Sequence, residues 1–378
     1  MAPPVTLFPP PPSLQFAEDA KLKAAVKTAV DTLAAGRRIA PAFRLAIIDL
    51  GDGGASSTLK FGAHNGDIVD FIASEAKLIA LYSAYALRDM VQRFAGNYLF
   101  RVLAGAVGGF LGSRQPRPPP DLVSALRAEM DPHILAAADG RLSGLDRAEL
   151  VPDYKAMFEL RPNGVPDFTA AFSSALQQMI VPSSNSGASQ VIMTVGFAYI
   201  SGAMKAAQLF VRGKGPWLSA DFMGHYHPLI ESENDNAVGQ AGTALSMAKL
   251  MAIIVNHGVS ILGDSFDGME KLLKAAVKGI DIPLLTRDAP DFTDPSDADR
   301  SKPPLRIPRS KITHIKLGQD WLKPQNGKLT VWSEAWRIQG LFDAGKAYAL
   351  SYQNLLTERT TPEEMAGVIR RAIAEYES

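Results

Sequence analysis

Hydrophobic residues recur along this chain with two different spacings. Spacing of three to four residues predicts helices over residues 17–38, 74–94, 121–150 (two short helices), 167–179, 189–210, 243–256, 271–278 and 362–376. Alternating or β-branched runs predict strands over residues 43–50, 57–62, 311–317, 328–337 and 346–352. The order is therefore a helix, two strands, a long helical middle, three strands and a final helix.

The strands near the two ends of the chain are expected to share one sheet, because two or three strands alone are only marginally stable. This predicts an α/β (α+β) fold in which residues 16–62 and 306–378 form a sheet domain with five strands. Residues 63–305 would then be an inserted all-α lobe, and the proline-rich residues 1–15 an extended arm. A small-molecule site is expected in the cleft between the sheet edge and the helical lobe.

The composition excludes several classes of protein. Lys and Arg together number 39, and so do Asp and Glu, so no net charge favours nucleic acid or an anionic membrane surface. The chain has no cysteine, which rules out disulfides, thiolate catalysis and cysteine-bound zinc. Its longest apolar runs are shorter than the roughly 20 residues of a membrane helix. The N-terminus has neither the basic nor the apolar stretch of a signal peptide, so a cytoplasmic location is expected.

One short motif indicates chemistry, although it occurs three times. Ser-x-x-Lys is found at residues 57–60, 74–77 and 246–249. The first falls in a predicted strand, where positions three apart face opposite sides, and the third lies inside a helix with core-facing neighbours. Ser74 instead begins a predicted helix, where residues three apart share a face, so its hydroxyl can meet the Lys77 amine. A lysine kept neutral by burial can take the serine proton, which makes Ser74 a candidate nucleophile.

Two further motifs follow along the chain, and each also occurs twice. They are Ser-x-Asn at residues 183–185 and 232–234, and Lys-x-Gly at residues 60–62 and 316–318. Taken in order, residues 74–77, 183–185 and 316–318 resemble the Ser-x-x-Lys, Ser-Asp-Asn and Lys-Thr-Gly elements of the penicillin-recognising serine enzymes, the class A β-lactamases and DD-peptidases. The resemblance implies a five-stranded antiparallel sheet flanked by terminal helices, and the activity of a serine hydrolase.

The resemblance also implies how an amide or ester would be cleaved. Ser74 would attack the carbonyl carbon to form an acyl-enzyme, with Lys77 as the general base. Ser183 would pass a proton toward the leaving group, and Asn185 would bind the substrate amide or the lysine. Lys316 would supply the positive charge that keeps Lys77 neutral and attracts an anionic substrate.

The third motif departs from the family pattern. The resemblance implies an oxyanion hole formed by the backbone N–H groups of Ser74 and Gln319, beside Gly318, which allows close approach of backbone to a ligand. Leu317 stands where family members carry a hydroxyl residue that binds the substrate carboxylate. We therefore expect weak binding of penicillins and D-Ala-D-Ala termini, and a small-molecule amidase or esterase is favoured over a cell-wall peptidase.

The residues that would remove the acyl group are less clearly marked. Glu231 and Glu233 lie where class A enzymes have a Glu-x-x-x-Asn loop, but neither has an asparagine four residues later. They are candidates for activating a water, and solvated loop residues are the alternative. His225 and His227 could join Glu231 in a metal site, but a third ligand at firm spacing is missing, so no metal or cofactor is expected.

A second hypothesis is a protein that keeps the β-lactamase-like fold for binding and has lost turnover. The altered third motif and the imperfect glutamate loop support it, whereas the retained Ser74, Lys77, Ser183 and Lys316 argue against it. In both cases the expected partner is a small-molecule amide or ester, and neither nucleic acid nor a membrane.

Overall fold

A computed structural model describes most of the chain. The described residues are 7–36, 41–51, 57–110, 121–138, 140–210, 214–227, 238–259, 261–279, 307–322, 329–356, 360 and 362–378. The helices are α1 Ala20–Ala35, α2 Lys77–Phe110, α3 Leu122–Ala137, α4 Arg147–Leu150, α5 Tyr154–Met157, α6 Ala170–Ile180, α7 Asn185–Val195, α8 Phe197–Ala206, α9 Ala244–Val255, α10 Gly263–Gly279 and α11 Pro362–Glu377. The strands are β1 Gln15–Glu18, β2 Arg44–Gly51, β3 Thr58–His64, β4 Asp70–Phe71, β5 Phe158–Leu160, β6 Pro166–Phe168, β7 Trp217–Leu218, β8 Gln240–Gly242, β9 Ile312–Leu322, β10 Leu329–Gln339 and β11 Ala347–Leu356.

Strands from both ends of the chain form one sheet, in the order β1-β3-β2-β11-β10-β9. The join lies between β2 and β11, where Leu45 pairs with Tyr352 in an antiparallel register. All neighbours in this sheet are antiparallel except β1 and β3, which are parallel. A mixed α/β fold with a shared sheet was predicted, but the prediction of five antiparallel strands is wrong, because six strands of the described ranges form this sheet.

The additional strand is β1, which begins where the predicted proline-rich arm ends. It has no alternation of buried and exposed side chains and is mostly exposed, so no hydrophobic pattern marks it. Its pairing with β3 aligns Phe16 with Leu59. Directly afterwards, the Asp19 side chain accepts a hydrogen bond from the Leu22 N–H and caps α1. Helix α1 therefore begins at Ala20, three residues later than predicted.

The two faces of the sheet carry different elements. Helices α1 and α11 pack together on one face, where Tyr348 of β11 contacts Tyr376 of α11 edge to face. Ser351 lies an odd number of residues further along β11 and therefore faces the opposite side. There it meets a 3₁₀ turn, Ala73–Ala76, that leads into α2. The sheet thus presents one face to the terminal helices and the other to the predicted nucleophile.

The middle of the chain is not purely helical, which corrects the prediction of an all-α lobe over residues 63–305. It holds a small sheet of β4, β8 and β7 and a two-stranded sheet of β5 and β6. One predicted helix over residues 189–210 is two helices, because Gly196 between them has φ +80°. A Cβ there would lie 2.5 Å from the Leu150 carbonyl oxygen, so only glycine fits. Helix α2 in turn runs to Phe110, past its predicted end near residue 94.

The N-terminal segment is packed against the helices from its first described residues. The Phe8 ring lies over Tyr199 of α8 at 5.1 Å between centroids, and Leu14 is buried. The Ser13 N–H donates to the Gly258 carbonyl at 2.8 Å. In the described part of the chain, no helix is long and apolar enough to span a membrane.

Candidate active site

Ser74 lies in the 3₁₀ turn Ala73–Ala76, directly before α2. The residue before it, Ala73, is buried and has φ 44°, a left-handed conformation that is strained for a residue with a Cβ. The turn is held in place by Ile72, whose N–H donates to the Gln240 carbonyl of β8. Strand β8 and the strained residue therefore fix the position of Ser74, and its side chain is half-buried.

Lys77 is buried and reaches across to the segment between α6 and α7. Its Nζ donates to the Ser183 carbonyl oxygen at 2.6 Å and to Asn185 Oδ1 at 2.7 Å, and lies 3.4 Å from Ser183 Oγ. Among the described residues, the Ser74 hydroxyl makes no hydrogen bond. The predicted Ser74–Lys77 contact is therefore not a hydrogen bond in this structure, because the amine is directed at Ser183 and Asn185.

The local sequence explains how Ser183 and Asn185 come to face Lys77. Ser183 adopts φ 57°, which turns the chain after α6. Ser184 then caps α7, with its side chain accepting from the Gly187 N–H. Asn185 is consequently the first residue of α7. This turn and cap point the Ser183 carbonyl and the Asn185 amide at the same amine.

Lys316 completes the cluster from β9. It is fully buried, and its Nζ donates to Ser183 Oγ at 2.8 Å and to the Leu317 carbonyl at 2.6 Å. Burial lowers the pKa of Lys316 well below its usual value, and the charge of Lys77 lowers it further. Ser183 Oγ thus lies between two lysine amines. The structure brings together four predicted catalytic or binding residues, Lys77, Ser183, Asn185 and Lys316, while their roles stay predictions.

Strand β9, which carries Lys316, packs closely against the turn that carries Ser74. Gly318 pairs with Ser333 of β10, and a Cβ on Gly318 would lie 2.7 Å from the Glu75 nitrogen and 2.7 Å from the Ser333 carbonyl oxygen. Leu317, opposite Glu334, is half-buried, and Gln319, the next residue after Gly318, is exposed. Gly318 thus lies close to protein backbone, while its approach to a ligand and the oxyanion hole stay predictions.

Phe222 was not singled out in the sequence, yet its ring lies over Lys77. The distance from Lys77 Nζ to the ring centroid is 4.7 Å, within the range of a cation–π interaction. Phe222 has φ 72°, which is strained for an aromatic residue. Nothing in the local pattern marks it, because a single aromatic residue in a polar segment carries no periodic signal.

The loop that carries Phe222 is organised by Asp221. Its Oδ1 accepts the backbone N–H groups of Met223, Gly224 and His225 at 2.8 to 3.0 Å. Its Oδ2 accepts from Ser189 Oγ at 2.7 Å and lies 2.9 Å from His225 Nδ1. Burial raises the pKa of Asp221, but these hydrogen bonds outweigh it and lower the pKa to about 2.

Replacing Asp221 by asparagine is expected to destabilise the fold by about 1–3 kcal/mol at neutral pH, because a buried network loses an ionised acceptor. Because the pKa of Asp221 is lowered on folding, its ionised form stabilises the fold above pH ~4, and this contribution is lost as the pH falls through about 2. Urea unfolding at pH 7 and at pH 2.5 measures both effects. The difference in the free energy of unfolding between the wild type and Asp221→Asn should be smaller at pH 2.5 than at pH 7. An equal difference at both pH values would contradict the lowered pKa of Asp221.

Two buried carboxyl groups were also missed by the sequence interpretation. Glu75 follows Ser74 directly, and Glu334 lies on β10 opposite Leu317. Burial raises the pKa of each to about 8. The sequence offered one signal for Glu75, which is that a glutamate stands inside the apolar run at residues 71–81. A charged residue in a buried turn needs hydrogen-bond partners from other parts of the chain.

The remaining candidates lie apart from this cluster or outside the described residues. Glu231 and Glu233, the possible deacylation residues, fall outside them. His227 Nε2 lies 3.1 Å from Glu149 Oε2, and His225 Nε2 lies 4.0 Å from Glu149 Oε1. In the described ranges, no group of three or more His, Asp or Glu side chains is placed to hold a metal ion.

No family model and no curated protein matches this chain. Among solved structures, a beta-lactamase from Chitinophaga pinensis DSM 2588 is 14% identical, with 93% of this chain and 97% of that chain covered and a TM-score of 0.44. A representative class A beta-lactamase from Bacteroides cellulosilyticus DSM 14838 is 12% identical, with 95% and 98% covered and a TM-score of 0.44. The TP domain of Burkholderia pseudomallei penicillin-binding protein 3 is 11% identical, with 97% and 95% covered and a TM-score of 0.41. A likeness this distant decides neither the activity nor the role of any residue.

Proposed function

We propose that this protein is a serine hydrolase that cleaves an amide or ester through an acyl-enzyme on Ser74. One observation carries the proposal: Ser183 Oγ lies 2.8 Å from Lys316 Nζ and 3.4 Å from Lys77 Nζ, beside the turn that holds Ser74. Two buried amines around one hydroxyl form a route for protons between a nucleophile and a leaving group. A purely structural role would not require two buried lysines to converge on one serine, because each costs desolvation.

The acylation step can be written with these groups. Ser74 Oγ bonds to the substrate carbonyl carbon while its proton passes to a neutral Lys77 Nζ. The carbonyl oxygen takes the electron pair and becomes an oxyanion, which the N–H groups of Ser74 and Gln319 would bind. As the oxyanion collapses, the bond to the leaving group breaks, and that group takes a proton from Ser183 Oγ. Ser183 is then reprotonated from Lys77, which returns to the neutral amine.

The environment of Lys316 favours a substrate without a carboxylate at this position. The Lys316 amine is fully buried, and its hydrogen bonds go to Ser183 and to the Leu317 carbonyl. Leu317 adds an apolar side chain where a hydroxyl would be needed to bind an anion. We therefore propose a small uncharged ester or amide as the substrate class, with penicillins as poor acyl donors.

A binding protein without turnover is the second candidate. The observation that favours it is the position of Phe222, whose ring covers Lys77 and favours its charged form, which cannot accept the Ser74 proton. This candidate predicts that small acyl compounds bind and that Ser74 stays unmodified. The two candidates differ in whether a covalent adduct forms.

Intact-protein mass spectrometry separates the two candidates, using an activated p-nitrophenyl ester and a penicillin as donors. We expect an acyl adduct on the wild type with the ester and none on Ser74→Ala, because removing the nucleophile abolishes the step. Ser57→Ala is the matched control, since Ser57 belongs to another Ser-x-x-Lys match and is exposed. It should acylate like the wild type.

The outcomes of this experiment are distinct. Release of p-nitrophenol with turnover that Ser74→Ala abolishes would support the hydrolase. A stable adduct on Ser74 without turnover would indicate acylation with slow deacylation. An unmodified wild-type protein across several ester and amide donors would contradict the hydrolase and support the binding protein.

A further inference from the structure

The buried carboxyl of Glu75 is not used by the acylation route described above. It sits between the nucleophile and Lys77 in the chain, and it is fully shielded from solvent. A buried carboxyl is costly unless it is hydrogen-bonded, whether or not it is ionised. Its partners therefore show what this residue does in the fold.

Those partners come from the central strand β11, at the far end of the chain. Ser351 Oγ donates to Glu75 Oε1 at 2.7 Å, and Gln353 Nε2 donates to Glu75 Oε2 at 3.3 Å. The two donors are two residues apart and so share one face of the strand. The carboxyl therefore attaches the turn that carries Ser74 to the middle of the sheet, while Gly318 of β9 presses on the same turn at its backbone nitrogen.

Charged groups from each neighbouring element act on this carboxyl. Lys316 of β9 favours its ionised form, and Glu334 of β10 favours its neutral form. Glu334 is itself buried and accepts a hydrogen bond from Trp336 Nε1 at 2.5 Å. Lys77 acts indirectly, because its charge opposes a proton on Lys316, whereas the charges of Glu75 and Glu334 favour one. The carboxyls of Glu75 and Glu334 and the amines of Lys77 and Lys316 are therefore buried groups whose charges influence one another.

The charge of Glu75 depends on pH, and that charge acts on the buried Lys316 amine. Burial raises the pKa of Glu75 to about 8 and lowers that of Lys316. The carboxyl therefore gains its negative charge as the pH rises through about 8. That charge favours the protonated form of the buried Lys316 amine.

We propose that Glu75 is a positioning residue for acylation, which holds the Ser74 turn on β11 and, when ionised, keeps the proton on Lys316 that is donated toward Ser183. This inference rests on the proposed function, since that function gives Ser183, to which Lys316 donates, its part in proton transfer. It adds a residue to the site that acts through the nucleophile turn and through Lys316, without contacting the substrate.

The test compares the wild type with Glu75→Gln, which keeps the size of the side chain and cannot ionise. Asp131→Asn is the matched control, because Asp131 is a buried carboxyl that is hydrogen-bonded to Tyr154 and Arg147, away from Ser74. The rate of Ser74 acylation by the p-nitrophenyl ester is measured from pH 6 to 10. In Glu75→Gln the alkaline limb of the profile should move to lower pH by about one unit, the low end of the effect of one neighbouring opposite charge. Asp131→Asn should keep the wild-type profile.

A second readout does not depend on activity. In protein with isotope-labelled lysine side chains, the Lys316 signal, assigned by its loss in Lys316→Met, should titrate at lower pH in Glu75→Gln than in the wild type. An unchanged Lys316 titration, or a slower acylation with an unchanged alkaline limb, would overturn the inference. If no donor acylates the wild type, the proposed function fails, and the lysine titration alone still decides whether Glu75 holds the proton on Lys316.

Discussion

Replacing Lys77 by methionine is expected to lower the rate of Ser74 acylation by about 10²- to 10⁴-fold, the usual contribution of a general base. Methionine is unbranched and flexible like lysine, so it can fill the same buried space without a charge. The variant removes the amine that is proposed to accept the Ser74 proton. It also removes the donor to the Ser183 carbonyl and to Asn185 Oδ1, so some loss of stability is expected as well.

The measurement is the rate of adduct formation with an activated ester, followed by intact mass. Lys249→Met is the matched control, because Lys249 belongs to the third Ser-x-x-Lys match and its amine lies over the rings of Phe16 and Phe61 at 5.2 and 5.4 Å. That variant should acylate at the wild-type rate. Equal rates for Lys77→Met and the wild type would contradict the role of Lys77 as base, provided that both proteins are folded by circular dichroism.

Replacing Gly318 by alanine is expected to reduce acylation by about 10²- to 10³-fold, as the loss of one oxyanion-hole donor does. The new Cβ would meet backbone atoms at 2.7 Å on two sides, Glu75 N and Ser333 O, and neither can move without shifting its strand or turn. The added methyl group would push β9 away from the Ser74 turn. The Gln319 N–H would then leave the position proposed for an oxyanion-hole donor, and overpacking should cost about 1–3 kcal/mol of stability.

Acylation kinetics and urea unfolding of the same protein separate these two effects. Gly345→Ala is a suitable control, because a Cβ at Gly345 has no atom nearer than 3.5 Å, the side-chain oxygen of Asp343. It should match the wild type in both measurements. Normal acylation by Gly318→Ala, together with reduced stability, would show that the close approach is structural and that the oxyanion hole lies elsewhere.

The sequence predicted which residues come together better than it predicted their individual contacts. Ser183, Asn185 and Lys316 were chosen by motif order, and the structure places all three around Lys77 or its hydrogen-bond partners. The short spacing within a motif fixes only which of its own side chains share a face of a helix or strand. Direct contact between Ser74 and Lys77 was expected on the same ground, but the Lys77 amine turns to acceptors more than 100 residues away.

The residues and the strand that the sequence interpretation missed have in common that no local sequence pattern marks them. Glu75 is held by Ser351 and Gln353, which lie 276 and 278 residues further along the chain, and no local pattern connects them. Phe222 is set over Lys77 by the hydrogen bonds of Asp221, whose effect depends on a loop conformation. Strand β1 was missed because its side chains are mostly exposed, so its pairing is a matter of backbone hydrogen bonds, which leave no mark in the sequence.

The pairing of β2 with β11 has a consequence for how the protein is made. Leu45 and Tyr352 are neighbours in the sheet but are separated by about 300 residues of chain. At roughly 5–20 residues per second, a ribosome needs on the order of 15–60 seconds between synthesising the two strands. During that interval the β2–β3 hairpin has an open edge that includes the apolar residues Ile47 and Ile48. A newly made chain therefore has to keep this edge from pairing with other chains until its last strands are released.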